Sequence, residues 1–458
     1  MKDWKGTRIV ILGAARQGLA LARWLVKHEA VVTLSDQRPE AELAAARAAL
    51  SGLPIRWALG GHPVELLQEA DLLCLSGGVP LSLPIVRAAL QRGIPLSNDT
   101  QIFMEAVPCK TIGITGSAGK TTTTTLVGQM AKEAYGDQAH VGGNLGDPLI
   151  NHVDEMKSSD LAILEISSFQ LEQMSVSPSV ASVLNITPNH LDRHGTMEAY
   201  TAAKARILEF QSSKEAAVLG RDDPGAWNLR NKVRGKLHSF GFSQMEETAE
   251  GTYFNDGMLY LYERRVDIPL LPRDRIQLRG AHNVSNVLAA FAIGHAAGFP
   301  IDAMLKAAEE FRGVPHRLEF VGERRGARWY NDSIATAPER TMAAVRAFAE
   351  PIVLLLGGRD KDLPWDALAD LIHRRVDHVV LFGEAADKIE KAISSERSAQ
   401  RPFTLERAPH LHEAVIKAAE VAQPGDIVLL SPGGTSFDEF KDFEERGEKF
   451  RVWVQKLS

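Results

Sequence analysis

The stretch GITGSAGKTTTTT, at 113–125, constrains the fold of this chain more than any other. It follows a run that predicts a strand over 110–114 and precedes a pattern that predicts a helix over 121–134. A glycine-rich turn between strand and helix directs backbone N–H groups to one point, where the helix dipole favours an anion. Lys120 can reach the terminal phosphates of a nucleoside triphosphate, and the Thr121 hydroxyl can ligate Mg²⁺. The stretch therefore predicts a phosphate-binding loop; the alternative is an ordinary glycine-rich turn with a surface lysine.

Composition narrows the class of protein. A chain of 458 residues suggests about three domains, because single hydrophobic cores rarely grow so large. The formal net charge of −6 disfavours a nucleic-acid-binding protein, which needs a basic face. Two cysteines, Cys74 and Cys109, are too few for a disulfide framework or a zinc site by themselves. The first residues lack the pattern of a signal peptide and no apolar run approaches the length of a membrane span, so we expect a cytoplasmic protein.

The first 107 residues predict a nucleotide-type α/β domain. The run RIVIL at 8–12 is typical of a buried parallel strand, and a glycine-bounded loop at 13–18 leads into a predicted helix. The next predicted strand ends at Asp36, and an acid at that position is typical of dinucleotide-binding domains. Ala15, however, occupies the position of the middle glycine of the dinucleotide motif. This weakens an NAD site and favours a nucleotide-like ligand held less closely.

Two later strand ends carry side chains that suit catalysis. The apolar strand LAILEI contains one carboxylate, Glu165, and a charge there is costly unless it is paired or bound to a metal. Glu165 is therefore either an acid paired with a lysine or arginine or a ligand for Mg²⁺. The strand predicted over 181–186 leads into a polar loop that contains His190. Lys204 follows on a predicted helix, where a lysine is by default a solvated surface charge.

Strands that alternate with helices continue to the end of the chain and predict a further α/β domain. The region 221–279 is more polar, with a β-like piece at 253–262, and carries no motif. We predict an α/β protein with a Rossmann-like N-terminal domain, a central domain of the P-loop ATPase type and a Rossmann-like C-terminal domain. The predicted domain bounds are 1–107, 108–313 and 314–458.

Several motifs occur together along nearly the whole chain. They are TGSAGKTTT, LEISSFQL, NITPNHLDRHG followed by AYTAAK, GAHNVSNVLAA, PHRLE, NDSIATAPE and LLSPGGTSFDEFKDFEERG. This set resembles the Mur ligase family of peptidoglycan synthesis. Independent motifs in the family's order are not explained by chance. The resemblance implies an N-terminal domain that binds a UDP-sugar, a central domain that binds ATP, and a C-terminal domain that binds an amino acid and closes over ATP.

The resemblance also implies a reaction. A family member would use ATP to phosphorylate the carboxylate of its UDP-sugar substrate, and an amine would then attack the acyl phosphate. The segment FDEFKDFEERG favours the branch of the family that adds D-glutamate to UDP-N-acetylmuramoyl-L-alanine. The implied cofactors are ATP and two Mg²⁺ ions. The implied partners are small-molecule substrates, for a monomeric enzyme without nucleic acid or a membrane span.

The resemblance assigns roles to individual residues. Lys120, His190 and Lys204 would carry the chemistry, and carbamylation of Lys204 by CO₂ would reverse its interpretation as a surface charge. The metal ligands would be Thr121, Glu165 and His190. The ATP contacts would be Gly116, Ser117, Ala118, Gly119, Lys120, Thr121, Thr122, Asn283, Arg317 and Asp332. The UDP-sugar contacts would be Asp36, Gln37, Arg38, Ser76, Gly78, Asn144, Ser167 and Gln170. The glutamate contacts would be Lys361, Ser436, Phe437 and Phe443.

Some alternatives remain open. The family loop after Asp332 often reads D-S-K-A-T-N, but Ile334 stands here at the lysine position. A missing cation would weaken the glutamate pocket, so addition of L-glutamate or another amino acid is an alternative. Asn283 could instead serve as the N-cap of a helix predicted over 284–297. Further alternatives are a folylpolyglutamate synthase, a phosphate-loop module that switches with bound nucleotide, and an NAD oxidoreductase; a switching module would not need Glu165, His190 and Lys204 together.

Overall fold

Three open sheets organise the part of the chain that the computed structural model describes, residues 2–243, 250–395 and 403–457. The strands are β1 (Arg8–Leu12), β2 (Val31–Asp36), β3 (Ile55–Leu59), β4 (Leu72–Leu75), β5 (Leu96–Ser97), β6 (Lys110–Thr115), β7 (Ala139–Gly143), β8 (Leu161–Glu165), β9 (Val180–Val183), β10 (Ala216–Gly220), β11 (Lys236–Gly241), β12 (Gly251–Asn255), β13 (Met258–Glu263), β14 (Val266–Pro272), β15 (Glu319–Arg324), β16 (Ala327–Asn331), β17 (Ile352–Gly357), β18 (His378–Phe382), β19 (Thr404–Arg407) and β20 (Ile427–Gly433). The α-helices are α1 (Arg16–Lys27), α2 (Ala44–Ala49), α3 (Pro84–Gln91), α4 (Asp99–Ala106), α5 (Lys120–Tyr135), α6 (Ser168–Leu171), α7 (Leu191–His194), α8 (Met197–Glu209), α9 (Pro224–Trp227), α10 (Ala281–Ala297), α11 (Ile301–Glu310), α12 (Pro338–Arg346), α13 (Asp366–Arg375), α14 (Ala386–Ser395), α15 (Leu411–Val421) and α16 (Phe443–Lys456).

The first sheet is parallel throughout, in the order β3-β2-β1-β4-β5. Every residue of its central strand β1 after the first is buried, as the apolar run predicts. Leu12 at the end of this strand pairs with Ser35 on one side and with Leu75 on the other. Because parallel strands end at the same edge, the loops that follow β1, β2 and β4 meet there.

The middle sheet has the order β14-β13-β12-β11-β10-β9-β6-β8-β7 and is parallel from β12 to β7. Strand β6 lies between β8 and β9, with Ile114 opposite Glu165 and Thr115 opposite Val183. This register brings the glycine-rich loop and Glu165 to one edge. The β-like piece predicted at 253–262 is confirmed as the β12–β13 hairpin, and β11 and β14 also lie in the polar region that carries no motif.

The third sheet has the order β15-β16-β20-β17-β18-β19 and is parallel except for the β15–β16 pair. Strand β17 is buried along its whole length, as its apolar sequence predicts. The last helix begins at Phe443, because the Asp442 side chain accepts a hydrogen bond from the Glu445 N–H and caps it.

The chain divides into two compact units, Met1–Phe311 with the first two sheets and Arg312–Ser458 with the third. The division falls two residues before the boundary predicted at 313–314. The boundary predicted at 107–108 falls between the first and the middle sheet, inside the first unit, and stays a prediction. None of the α-helices in the described part of the chain combines the length and the apolar character that a membrane crossing requires.

Candidate active site

The glycine-rich loop joins β6 to α5, as the sequence predicts. Gly119 precedes the first helical residue, Lys120, and has a left-handed backbone with φ of 82°. A Cβ atom at Gly119 would lie 2.3 Å from Asn286 Oδ1, so glycine is required there. Within the described residues no side chain caps α5. The N–H groups of its first turn, supported by the helix dipole, are therefore suited to an anion.

Two loop N–H groups in the predicted ATP contact already have protein partners. The Ser117 N–H donates to the Asn185 carbonyl oxygen at 3.0 Å, and the Ala118 N–H donates to Asn185 Oδ1 at 2.8 Å. Asn185 Nδ2 in turn donates to the Ala118 carbonyl oxygen at 3.1 Å. Asn185 thus fixes the loop to the segment that follows β9. The Ser117 and Ala118 N–H groups are thus engaged within the protein, and the N–H groups at the start of α5 are the loop donors best placed for an anion.

A cavity of about 350 Å³ adjoins the loop and collects residues from the first and middle sheets. Six lining residues belong to the predicted site, namely Gly78, Lys120, Asn144, Ser167, His190 and Lys204. The other lining residues are Gln17, Gly77, Ser168, Phe169 and Tyr200. The structure therefore brings the three predicted catalytic residues to one cavity from three separate segments of the chain.

Glu165 lies at the end of β8 and is only 3% exposed. Its Oε1 accepts a hydrogen bond from Asn144 Nδ2 at 2.9 Å, whereas its Oε2 is buried without a hydrogen-bond partner. Among the described residues, none of the lysine or arginine ion pairs involves Glu165, so the alternative of a paired strand-end acid is wrong. A buried carboxylate oxygen without a partner is a suitable ligand for a divalent cation.

Lys204 is 1% exposed, so its interpretation as a solvated surface charge is wrong. Its Nζ donates to the Gly116 carbonyl oxygen at 3.0 Å and to Thr115 Oγ1 at 3.3 Å. Burial and, less strongly, the charge of Lys120 lower the pKa of Lys204 to about 7, against the opposing effect of Glu165. At neutral pH much of this lysine is an uncharged amine, which can act as a nucleophile towards CO₂.

Lys120, the other lysine of the cavity, folds back over its own loop. Its Nζ donates to the Gly116 carbonyl oxygen at 2.7 Å and approaches the Ser117 carbonyl oxygen at 3.4 Å. Gly116 O therefore accepts from both Lys120 and Lys204. The cavity edge at Gly116 therefore holds two lysine amines side by side.

His190 has a left-handed backbone with φ of 53° and precedes α7. Its ring meets the Phe169 ring edge to face, with centroids 5.2 Å apart. Phe169 also stacks on His194 at 5.1 Å, and His194 approaches Ser168 Oγ at 2.9 Å through Nε2. This aromatic packing holds the short helix after His190 against α6, which lies beside the end of β8.

The predicted UDP-sugar contacts of the first sheet lie at the edge where β1, β2 and β4 end. Asp36 accepts hydrogen bonds from the Ala14 N–H at 2.7 Å and from Arg38 Nη2 at 2.9 Å. The Arg38 guanidinium holds the pKa of the Asp36 carboxyl well below its usual range. Ser76 Oγ donates to the Gly13 carbonyl oxygen at 3.1 Å, and Gln37 is exposed beside Asp36.

Gln170 does not line the cavity. It is 1% exposed; its Oε1 accepts from the Ser167 N–H and hydroxyl, both at 2.9 Å, and its Nε2 donates to Thr100 Oγ1 at 2.7 Å. All three contacts are with protein. Gln170 therefore holds Ser167, which does line the cavity, and ties the middle sheet to α4.

Asn283 lies in the first turn of α10 and does not cap it. Gly280 is the N-cap residue, so the interpretation of Asn283 as a helix cap is wrong. Asn283 Nδ2 donates to the Arg279 carbonyl oxygen at 2.7 Å, and its Oδ1 accepts from Asn286 Nδ2 at 3.1 Å. Asn286 lies against Gly119, so Asn283 is connected to the glycine-rich loop through the Asn286 side chain.

In the second unit, Asp332 follows β16 and is 4% exposed. It accepts hydrogen bonds from Ser431 Oγ at 2.8 Å and from the Leu318 N–H at 3.2 Å. Burial raises the pKa of Asp332 to about 7. Arg317 lies in the same loop as Leu318 and is exposed.

The predicted glutamate contacts come from three segments of the second unit. The segment after β17, with Lys361, is joined to the segment after β20 by a bridge between Arg359 and Thr435. Next to that bridge, Ser436 is buried and Phe437 is 59% exposed. The third segment is the start of α16, where Phe443 lies.

Three family models match the chain. The Mur ligase MurD-like N-terminal domain matches residues 7–98, the Mur ligase middle domain matches 114–294, and the Mur ligase glutamate ligase domain matches 316–434. A protein of Pelotomaculum thermopropionicum named UDP-N-acetylmuramoylalanine--D-glutamate ligase is 40% identical to this chain. The alignment covers 100% of this chain and 99% of that protein. One of the same name from Symbiobacterium thermophilum is 39% identical over 98% of each chain. The chain belongs to the Mur ligase family.

Solved Mur ligases share the fold. UDP-N-acetylmuramate-alanine ligase of Thermotoga maritima superposes with a TM-score of 0.55 at 18% identity, over 98% of this chain and 99% of its own. A UDP-N-acetylmuramoyl-L-alanyl-D-glutamate--2,6-diaminopimelate ligase gives 0.55 at 18% identity over 93% of each chain. At this identity the superpositions bear on the fold alone. The predicted α/β architecture with three Mur ligase domains is confirmed.

Several residues of the Mur ligase cavity were not assigned from the sequence. Tyr200 lies one helical turn before Lys204, and its ring is 4.8 Å from Lys204 Nζ; the i, i+4 spacing was a signal that both share a helix face. Gln17 lies outside the quoted motifs, and Phe169 lies within LEISSFQL, where the motif gave it no role of its own. Asn286 is three residues after Asn283, on the same face of α10, so its spacing also pointed to the site.

Proposed function

We propose that this Mur ligase joins D-glutamate to the carboxylate of UDP-N-acetylmuramoyl-L-alanine, with ATP as the energy source and an acyl phosphate as the intermediate. The full-length similarity to proteins named for this activity supports the substrate assignment. The observation that carries the chemistry is the cavity that brings Lys120, His190 and Lys204 together beside the unpartnered oxygen of Glu165.

A free carboxylate repels a nucleophile and has no leaving group, so it must be activated. Transfer of the γ-phosphoryl group from ATP to the carboxylate oxygen gives an acyl phosphate and ADP. The amine of glutamate then attacks the acyl carbon, phosphate leaves with the C–O electron pair, and the nitrogen loses a proton. The first step brings anions together, and Lys120 with the N–H groups of the first turn of α5 would balance their charge.

The residues present fit a divalent cation, because Glu165 Oε2 is buried and unpartnered, and Asn144, which binds the other Glu165 oxygen, lines the cavity together with His190. We propose that Thr121 and Glu165 hold one Mg²⁺ and that His190 contributes to a second. Bound Mg²⁺ neutralises part of the charge on the triphosphate and on the acceptor carboxylate. Asn144 would orient Glu165 through its hydrogen bond to Oε1.

We further propose that Lys204 becomes carbamylated. The uncharged amine attacks CO₂, a C–N bond forms as one C=O π pair moves to oxygen, and the nitrogen releases one proton, which converts a neutral amine into an anion. The pKa of about 7 supports this step because it leaves much of the amine unprotonated near neutral pH. The resulting carboxylate would stand near Glu165 and increase the negative charge available to the metal region.

The UDP-sugar would lie along the edge of the first sheet and enter the cavity past Gly78. Asp36, Gln37, Arg38 and Ser76 would face the uridine and diphosphate, and Asn144 and Ser167 would face the muramoyl end. Gln170 would act through Ser167 rather than by contact with the sugar, because its amide is fully used by protein partners.

For the amino acid, we propose contacts from Lys361, Ser436, Phe437 and Phe443. Ile334 removes a lysine that many family members carry, but two cations reach the same loop. Lys361 Nζ lies 3.5 Å from Thr336 Oγ1, and Arg340 Nη1 donates to the Ile334 carbonyl oxygen at 3.2 Å. This supports a pocket that still recognises a dicarboxylic amino acid, and the relatives' names favour its D form.

In the same second unit, Arg317 and Asp332 would face the γ-phosphate and the ribose of ATP. Because its substrates include ATP, we expect the enzyme in the cytoplasm.

The deciding experiment measures phosphate release from ATP with Mg²⁺, UDP-N-acetylmuramoyl-L-alanine and a panel of amino acids. We expect D-glutamate to stimulate release and to appear in the product, and L-glutamate and glycine to do neither. Stimulation by L-glutamate instead would refute the stereochemical part of the proposal. No adduct with any amino acid would refute the ligase assignment.

A further inference from the structure

A second group of metal-ligating side chains lies in the middle sheet, and none of its members lines the cavity described above. His238 lies in β11, Glu250 directly precedes β12, and His295 lies in the last turn of α10. The group joins two neighbouring strands to the helix that packs across them. None of the motifs that identify the family includes these residues.

The three side chains converge. One ligand atom from each residue lies within 4.8 Å of those of the other two. His238 Nδ1 is 3.9 Å from Glu250 Oε2. The centroids of the two imidazole rings are 5.6 Å apart, and the ring planes are inclined at 77°. Ligands of a tetrahedral zinc ion lie about 3.3–3.6 Å apart when the metal–ligand distances are near 2.1 Å. Adjustments of about 1 Å in side-chain position would therefore bring the three atoms around one ion.

One of the three ligand atoms, His238 Nδ1, lacks a hydrogen-bond partner although it is shielded from solvent. His238 is 2% exposed, and its Nδ1 is buried without a hydrogen bond. A buried nitrogen without a partner is costly, and binding a cation removes that cost.

Lys236 is the competing cation. Its Nζ forms an ion pair with Glu250 Oε2 at 2.5 Å, but the Lys236 side chain is 56% exposed and can return to water. If a divalent ion replaced the exposed Lys236 ammonium, the Glu250 carboxylate would gain a partner of higher charge. Glu263 Oε1 lies 3.9 Å from His295 Nε2 and offers a fourth ligand on the neighbouring strand.

We propose that His238, Glu250 and His295 form a binding site for a divalent transition metal, with zinc as the best-suited ion. Two imidazoles and a carboxylate are a ligand set that zinc accepts, with water or Glu263 in the remaining position. The ion would fasten the last turn of α10 to β11 and to the start of β12. Its role would be structural, because His295 lies in the last turn of α10, whereas Asn283 and Asn286, next to the glycine-rich loop, lie in its first two turns.

The test is a calorimetric titration of the full chain with Zn²⁺, in excess Mg²⁺ so that sites with oxygen ligands stay filled. We expect one zinc site in the wild-type chain. His295→Gln and Glu250→Gln should each weaken that site by more than about 100-fold, since loss of an outer-shell partner alone weakens metal sites about 10–100-fold. His152→Gln is the matched control, because His152 is a half-exposed histidine paired with Asp147 in the same unit. It should keep the site.

A second measurement does not depend on variants. Co²⁺ bound to the wild-type chain should give the visible absorption of a low-coordinate nitrogen–oxygen site, and Zn²⁺ should displace it. The proposal is overturned if wild-type chain binds no Zn²⁺ beyond what His295→Gln binds. It is also overturned if the Co²⁺ spectrum is that of a six-coordinate aquo-like ion. Ligase activity is expected to be unchanged in His295→Gln at low temperature, so this result is independent of the proposed reaction.

Discussion

The protonation state of Lys204 leads to a quantitative prediction. The lysine would ordinarily have a pKa of 10.5, and burial with the nearby Lys120 charge lowers that pKa to about 7. The difference corresponds to about 5 kcal/mol in favour of the uncharged amine. At pH 7.5 the uncharged fraction rises from about one in a thousand to about three quarters. Lys204 should therefore react with CO₂ under conditions in which surface lysines do not.

The assay is ¹³C NMR of the protein in ¹³C-bicarbonate. We expect one carbamate resonance in the wild-type chain, which Lys204→Gln lacks and which Lys132→Gln, at an exposed position of α5, retains. Removal of the like charge in Lys120→Met should raise the pKa of Lys204 and move carbamate formation to higher pH. The reasoning is refuted if no resonance depends on Lys204, or if carbamate forms only near pH 10, as for a solvated lysine. Small carboxylates should restore part of the activity of Lys204→Ala, because they replace the missing anion.

Two further predictions concern the phosphate loop and the second unit. Lys120→Ala should lower ligation by more than about a thousand-fold, because it removes a cation at the transferred phosphoryl group, and UDP-sugar binding measured by calorimetry should persist; wild-type turnover would contradict the assignment. Asp332→Asn should stabilise the ligand-free protein at pH 8 by up to about 4 kcal/mol. The raised pKa of Asp332 means that the folded state holds its proton up to about pH 7, so wild-type stability falls between about pH 4 and 7. Thermal unfolding at pH 4 and pH 8 tests this, and an equal difference at both pH values would contradict it.

Much of the fold follows from local sequence patterns. Apolar runs such as 8–12 and 352–357 predict buried parallel strands because both faces of such strands are covered. The glycine-rich loop is predictable because a left-handed residue, a close contact and a helix start coincide at Gly119. The β12–β13 hairpin carries a strong turn signal, because Asp256 and Gly257 stand between its strands and both have positive φ. The β13–β14 hairpin turns at Arg264 and Arg265, which have positive φ but are not residues that mark such a turn in a sequence.

The site was less accessible to pattern reasoning. The burial of Lys204 depends on Tyr200 and on the carbonyl oxygen of Gly116, a contact across 88 residues that no local periodicity reports. Asn185 accepts hydrogen bonds from two N–H groups of the phosphate loop, and these contacts, across about 67 residues, are equally invisible to local periodicity. The family resemblance corrected the interpretation of Lys204 as a surface charge, but it did not predict the contacts of Asn185.

The electrostatics of the cavity explain why it should bind its substrates well. Glu165 has a buried oxygen without a partner, and Lys204 is held where its charge is disfavoured. The unpartnered Glu165 oxygen and the buried Lys204 amine each cost free energy in the ligand-free chain, and a bound group of opposite charge removes such a cost. A cation beside Glu165 and a triphosphate beside Lys120 would supply those groups together, so binding of either should strengthen binding of the other. We therefore propose that the cavity binds a metal and a triphosphate together more strongly than it binds either one alone.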